Sequence, residues 1–77
     1  MSRYIKELDD NKTVAYGFDT VTGYFFQLFD ESQPEETLLI DEDSFLTGAS
    51  NADIMSLMIE YGVDENHIAY VGADLPF

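Results

Sequence analysis

Cysteine is absent from this 77-residue sequence, so the chain can form neither a disulfide nor a zinc site with thiolate ligands. A domain of this size buries only about 60% of the surface of its unfolded chain, which leaves a thin margin of stability. The core must therefore come from the apolar residues, which make up 45% of the chain, with aromatic residues at 14%. That share is too high for a disordered acidic tail. We expect a single domain over residues 1–77.

Long apolar segments are missing as well. The first ten residues, MSRYIKELDD, carry charges and lack the apolar region of a secretory signal peptide. Apolar runs elsewhere are a few residues long, whereas a helix needs about 20 to cross a bilayer. The lack of cysteine also fits a reducing compartment. These absences predict a cytoplasmic protein with no membrane contact.

Basic residues are scarce and unevenly placed. Sixteen Asp and Glu against three Lys and Arg give a formal charge of −13. Arg3, Lys6 and Lys12 are followed by thirteen acids and no further base over residues 13–77. Binding to phosphates or to anionic lipid needs Lys and Arg, so we expect no direct contact with nucleic acid. The charge instead favours a protein partner with a basic surface, although solubility or adaptation to high salt explains it equally well.

The residues that usually carry chemistry are few. His67 is the one histidine, which argues against catalytic triads and histidine metal sites. Asp41 and Asp43 have the spacing that opens a calcium loop, but apolar residues stand where that loop needs a ligand, a glycine and a glutamate. Glycine-rich phosphate loops are absent. We therefore expect no cofactor, no metal and no enzymatic activity.

Alternating apolar residues predict strands in the first half of the chain. Asp, Asn, Gly and Thr mark the turns between them. The predicted strand over 37–40 runs into the consecutive acids Asp41, Glu42 and Asp43, whose mutual repulsion argues for solvent around them. The predicted strands are 3–8, 14–18, 24–29 and 37–40, with turns or loops at 9–12, 19–23 and 30–36.

Helix signals follow the strands. Ser50 and Asp53 are typical of a capping box, and Gly62 stands where a left-handed residue ends a helix. Asp64 can cap a second helix over 65–72; a final strand is the alternative, but the polar residues at its start favour the helix. Strands followed by helices indicate an α+β fold. The expected architecture is a three- or four-stranded antiparallel meander followed by two helices packed on one sheet face.

The strand at the centre of the predicted sheet is apolar on both sides. Phe25 and Phe29 share one side, and Tyr24, Phe26 and Leu28 share the other. If the helices cover only one side, the other exposes an apolar patch of the kind that marks protein interfaces. The alternative is that the terminal segments cover it. The residues predicted to contact a partner are Tyr16, Tyr24, Phe26, Leu28, Asp30, Glu31, Glu35, Glu36, Asp41, Glu42 and Asp43.

Three functions fit these patterns. The first is a small, non-enzymatic, acidic module that binds a protein with a basic surface, or binds a second copy of itself as a homodimer. The second is an inhibitor that mimics nucleic acid, because a base-free run of acids can present carboxylates where a basic groove expects phosphates. The third is a small enzyme with paired carboxylates, which needs a pocket and one carboxyl group of raised pKa.

Overall fold

A computed structural model describes residues 2–32 and 34–77 of the chain. The four strands pair antiparallel in chain order and form one sheet, and the two helices pack against it. The predicted α+β fold is confirmed, and so is the choice of a helix for the last element. The strands are β1 (Tyr4–Glu7), β2 (Lys12–Asp19), β3 (Gly23–Asp30) and β4 (Thr37–Asp43), and the helices are α1 (Asn51–Glu60) and α2 (Glu65–Gly72).

Both hairpin turns of the first three strands use residues that tolerate left-handed backbone angles. Asp10 and Asn11, between β1 and β2, have φ of 62° and 58°, and their side chains are among the few that accept this region. Gly23, which begins β3, has φ of 76°. A Cβ at Gly23 would lie 2.7 Å from the Cβ of Ser44, so only glycine fits there.

β4 continues through the acids that follow its apolar half, and is longer than the sequence predicted. Asp41 pairs with Gln27, and Asp43 pairs with Phe25. Because successive residues of a strand point to opposite faces, the pairing separates neighbouring carboxylates that would otherwise repel each other. Glu42 therefore lies on the side of the helices, while Asp41 and Asp43 lie on the other side.

The core lies between the helices and the sheet face that holds the even-numbered residues of β2 and β3. Ile54 and Met58 of α1 and Val71 of α2 cover this face and are fully buried. Four of the residues predicted to contact a partner are buried beneath them, each at most 4% exposed. Because the helices occupy the surface assigned to a partner, these four are packing residues instead. They are Tyr16, Tyr24, Phe26 and Leu28.

The ends of α1 follow the sequence signals closely. The Ser50 hydroxyl accepts from the Asp53 amide at 3.1 Å, and the Asp53 carboxylate accepts from the Ser50 amide at 3.0 Å, so the predicted capping box is present. At the other end Gly62 has φ of 66°. The amide of Val63 donates to the carbonyl of Met58 at 3.1 Å, as in a Schellman motif.

Two side chains tie the helices to the rest of the fold. Lys6 of β1 donates through Nζ to the Gly62 carbonyl at 2.8 Å, which links the edge of the sheet to the junction of the helices. Asn51 donates through Nδ2 to the Val71 carbonyl at 3.3 Å and to the Asp74 carboxylate at 3.0 Å. The start of α1 and the end of α2 are thereby held together.

Burial along α1 predicts very different costs for two adjacent substitutions. Met58→Ala removes a fully buried side chain and should lower the free energy of unfolding by about 2–5 kcal/mol. Ile59→Ala removes a side chain that is 62% exposed and should change it by no more than about 0.5 kcal/mol. Urea denaturation followed by circular dichroism measures both. Equal costs for the two variants would contradict the packing of α1 described above.

Candidate functional site

One face of the sheet carries no helix. In the described residues both helices pack on the opposite face, and Phe77 near the end of the chain also lies there, against Tyr24. The alternative that the terminal segments cover the second face is therefore wrong for Phe77, whereas Ser2 and Arg3 near the other end of the chain do cover part of it, beside Gly17 and over Phe25. We call this surface the open face. Its central residues are Ile5 of β1, Ala15 of β2, Phe25, Gln27 and Phe29 of β3, and Leu38 and Asp41 of β4.

A β-bulge adds an apolar residue to the open face. Phe29 pairs with Leu38, whereas Leu28 pairs with Ile40, so one residue of β4 has no partner in β3. The shift reverses the alternation of β4 and brings Leu38 to the side of Phe29. Ile5 and Leu38 are exposed and Phe29 is half-buried. The open face is therefore apolar towards the β4 edge as well as at its centre.

Polar side chains cross the open face in a row. The guanidinium carbon of Arg3 lies 5.9 Å from the centroid of the Phe25 ring, within the range of a cation–π contact. Arg3 Nη1 donates to Gln27 Oε1 at 3.1 Å, and Gln27 Nε2 donates to Asp41 Oδ1 at 3.3 Å. Gln27 thus stands between a base next to β1 and an acid on β4.

The turn after β4 is held by the carboxylate of Asp43, which at 6% exposed is the one buried acid among the described residues. Its Oδ1 accepts from the amide of Phe45 at 2.9 Å and from the amide of Leu46. The Asp43 amide donates to Thr47 Oγ1 at 2.9 Å, and the Asp43 carbonyl accepts from the Ala49 amide at 2.8 Å. The amide, the carbonyl and Oδ1 of Asp43 therefore all serve the turn. We call residues 43–49 the acidic turn.

The acidic turn presents two large apolar side chains to solvent. Phe45 is 67% exposed and Leu46 is 83% exposed. Their backbone is anchored on both sides, since Ser44 also exchanges hydrogen bonds with Tyr24 of β3. Leu46 closes one side of a cavity of about 270 Å³ on the open face, together with Phe25. An ordered turn that displays apolar side chains beside an apolar face is a typical arrangement of a binding surface.

The remaining predicted contact residues lie at the other end of the β3–β4 hairpin. Asp30 is the last residue of β3 and Glu31 follows it, about 20 Å along the strand from the acidic turn. Hydrogen bonds from Ser32 hold the pKa of Asp30 below its usual value. Glu31 accepts from the Thr13 hydroxyl at 2.9 Å. The exposed pair Glu35 and Glu36 lies in the loop before β4. The structure therefore does not bring these four acids together with Asp41 and Asp43.

An aromatic cluster that the sequence analysis did not foresee lies on the helix side. His67 Nδ1 and the Tyr16 hydroxyl are 2.6 Å apart. The His67 ring is 4.2 Å from the ring of Tyr4 and 5.1 Å from that of Phe77, measured between centroids. These distances make His67 a packing residue. The sequence offered no signal for this cluster, because its members come from opposite ends of the chain.

Comparison with known protein families, curated proteins and solved structures gives no match for this chain. Neither helix of the described chain is long and apolar enough to cross a membrane. Among residues 2–32 and 34–77, no group of three or more His, Asp or Glu could hold a metal ion. The open face and the acidic turn themselves are therefore the features that bear on function.

The hydrogen bonds of Asp43 predict how the acidic turn responds to substitution. Asp43→Ala removes the acceptor of two amides and should lower the free energy of unfolding by about 1.5–3 kcal/mol. Amide exchange at Phe45 and Leu46 should become at least tenfold faster. Asp43→Asn keeps an acceptor oxygen and should largely preserve slow exchange, and Asp41→Ala, on the same strand, should leave it unchanged. Unchanged exchange in Asp43→Ala would show that this carboxylate does not hold the turn.

Three tyrosines predict an alkaline loss of stability. Burial raises the pKa of Tyr16, with Asp64 adding to it, and burial raises the pKa of Tyr24, with Asp74 adding to it; Tyr61 behaves likewise. The folded state holds these protons more tightly than the unfolded chain does. The contribution of the three tyrosines to the free energy of unfolding is therefore complete below about pH 10, which is the usual pKa of tyrosine in an unfolded chain, and it is lost as the pH rises through the raised pKa values.

The urea midpoint should therefore stay level up to about pH 9 and fall above about pH 10. Tyr24→Phe removes one of the titrating groups and should give a shallower fall. It also removes the hydrogen bond to the Leu75 carbonyl. At pH 7 the free energy of unfolding should therefore fall by about 1 kcal/mol, and the urea midpoint should fall with it. If the urea midpoints of the unmodified protein and of Tyr24→Phe fell equally steeply above about pH 10, that result would contradict the raised pKa of Tyr24.

Proposed function

We propose that this protein is a small, non-enzymatic module that binds another protein through the open face and the acidic turn. The observation that carries the proposal is the acidic turn, in which a buried carboxylate holds Phe45 and Leu46 in an exposed position. Displaying two such side chains on an ordered backbone brings no benefit to the core. It does lower the entropy lost on binding, because the contact residues are already in place.

The charge of the chain indicates what kind of partner would dock there. Asp19 and Asp41 line the cavity beside Leu46, and the whole chain carries −13. A surface that combines apolar anchors with carboxylates complements a segment that combines apolar and basic residues. A second copy of the chain would bring the same acids against each other. Charge complementarity therefore favours a basic partner over a homodimer.

The distribution of the acids tests the second predicted function, an inhibitor that mimics nucleic acid. A mimic needs its carboxylates in one continuous row, as phosphates are spaced along a strand. Here they line separate cavities: Glu42 and Asp53 lie between β4 and α1, whereas Asp64 and Glu65 lie at the start of α2. This spread supports a compact apolar binding surface more than it supports a mimic of nucleic acid. The peptide selection described next can still detect a mimic.

Selection of random peptides displayed on phage, with the immobilised protein as bait, tests the proposal. We expect enriched peptides to pair Lys or Arg with apolar residues, and to bind a chemically synthesised copy of the protein in solution. Leu46→Ser should weaken the binding of those peptides at least tenfold, because it removes an exposed anchor. Ile59→Ser removes a similarly exposed apolar residue from α1 and should change the affinity less than twofold.

Two results would contradict the proposal. The first is a selection that yields no peptide above the background of an unrelated acidic protein. The second is enriched peptides whose affinity is insensitive to Leu46→Ser but falls steeply with salt, which would favour the nucleic-acid mimic.

A further inference from the structure

We infer that the cavity beside the acidic turn binds an arginine side chain of the partner, and that Arg3 of this chain occupies part of the site when the partner is absent. The inference rests on the proposed function and adds the residue type that the partner must supply. The cavity measures about 270 Å³ and opens on the open face. Its size is below that of typical small-molecule pockets, and it suits a single side chain.

The walls of the cavity have the chemistry that a guanidinium needs. Phe25 supplies an aromatic surface, Asp19 and Asp41 supply carboxylates, and Leu46 supplies an apolar side. A planar guanidinium can stack on the ring while its edge donates to the carboxylates. A lysine would use the carboxylates but gain less from the ring.

Arg3 demonstrates how a guanidinium fits this surface. Its Cζ is 5.9 Å from the Phe25 centroid, and it donates to the amide oxygen of Gln27 at 3.1 Å. A guanidinium has five N–H donors. Arg3 uses one of them on Gln27, and Asp41 accepts from Gln27 instead. Arg3 itself is exposed. A partner arginine that enters from solvent can approach Asp41 and Asp19 directly, in competition with Arg3.

The size of the open face limits the partner to a short segment at this point. Four strands spaced about 4.8 Å apart, of which β2 and β3 are the longest at eight residues each, form a face at most roughly 15–20 Å by 25 Å. Such an area matches an extended peptide that places arginine in the cavity and an apolar neighbour on Leu46. The inference therefore names a basic and apolar segment as the occupant.

A titration with the tripeptide acetyl-Leu-Arg-Leu-amide, followed by amide chemical shifts of the ¹⁵N-labelled protein, tests the inference. We expect saturable shifts centred on Phe25, Gln27, Asp41 and Leu46. The analogue with citrulline, which is neutral and nearly identical in shape, should bind at least fivefold more weakly. Asp41→Asn should weaken binding of the arginine peptide at least threefold, whereas Glu35→Gln, which removes a distant carboxylate, should have less than half that effect.

The competing role of Arg3 has a matched control in Lys12. Arg3→Ala and Lys12→Ala change the net charge equally, but only Arg3→Ala vacates the ring of Phe25. We expect Arg3→Ala to tighten the arginine peptide at least threefold and Lys12→Ala to change it by less than 1.5-fold. Equal effects of these two variants, equal affinity of the citrulline analogue, or shifts centred elsewhere would each overturn the inference.

This experiment separates the inference from the proposed function. Displayed peptides that lose affinity in Leu46→Ser, yet bind equally well when their arginines are replaced by citrulline, would sustain the protein-binding function and overturn the arginine site. Peptide selection that fails altogether, as described above, would overturn the function as well.

Discussion

The pairing of β2 with β3 is the constraint on which the rest of the structure depends. It joins Tyr16 to Phe26 and Ala15 to Gln27, so one face of the hairpin receives the large residues and the other receives the small and mixed ones. A shift of one residue would exchange the two faces. Only glycine fits at position 23 in the turn of this hairpin, because φ is 76° and a Cβ would lie too close to Ser44. The helices can bury only the face that this register offers them.

The acids of this chain have separate structural roles despite their common charge. Asp43 organises the acidic turn, Asp53 caps α1, and Asp64 caps α2 by accepting from the Asn66 amide. These acids are explained by local backbone hydrogen bonds. Asp41 has a different setting, since it faces the open face beside an aromatic ring and Gln27. Counting charges alone could not separate these roles, because each depends on which backbone amides lie nearby.

Much of the fold could be predicted because its signals are local. The capping box of Ser50 and Asp53, the helix end at Gly62 and the turn at residues 9–12 each depend on neighbours within a few positions. The candidate site was harder to predict from the sequence. The sequence divided the apolar residues of β3 correctly into two sets but could not say which set lies under the helices, and the predicted contacts followed the set that is buried. In the sequence, Phe45 and Leu46 served only to exclude a calcium loop, because they stand where that loop needs a ligand and a glycine; their exposure in the acidic turn had no local signal.

Local sequence signals were sufficient to predict the order of the elements, the ends of α1 and the strongly acidic character of the chain. Periodicity, capping and composition act over short distances, so one-dimensional information is enough for them. Three features appear only in the folded molecule: which sheet face stays open, the bulge that turns Leu38 towards it, and the contact of Arg3 with Phe25. These outcomes depend on the side from which the helices approach and on contacts between residues of different elements. The free energy of such contacts belongs to the folded arrangement and to no single segment of the chain.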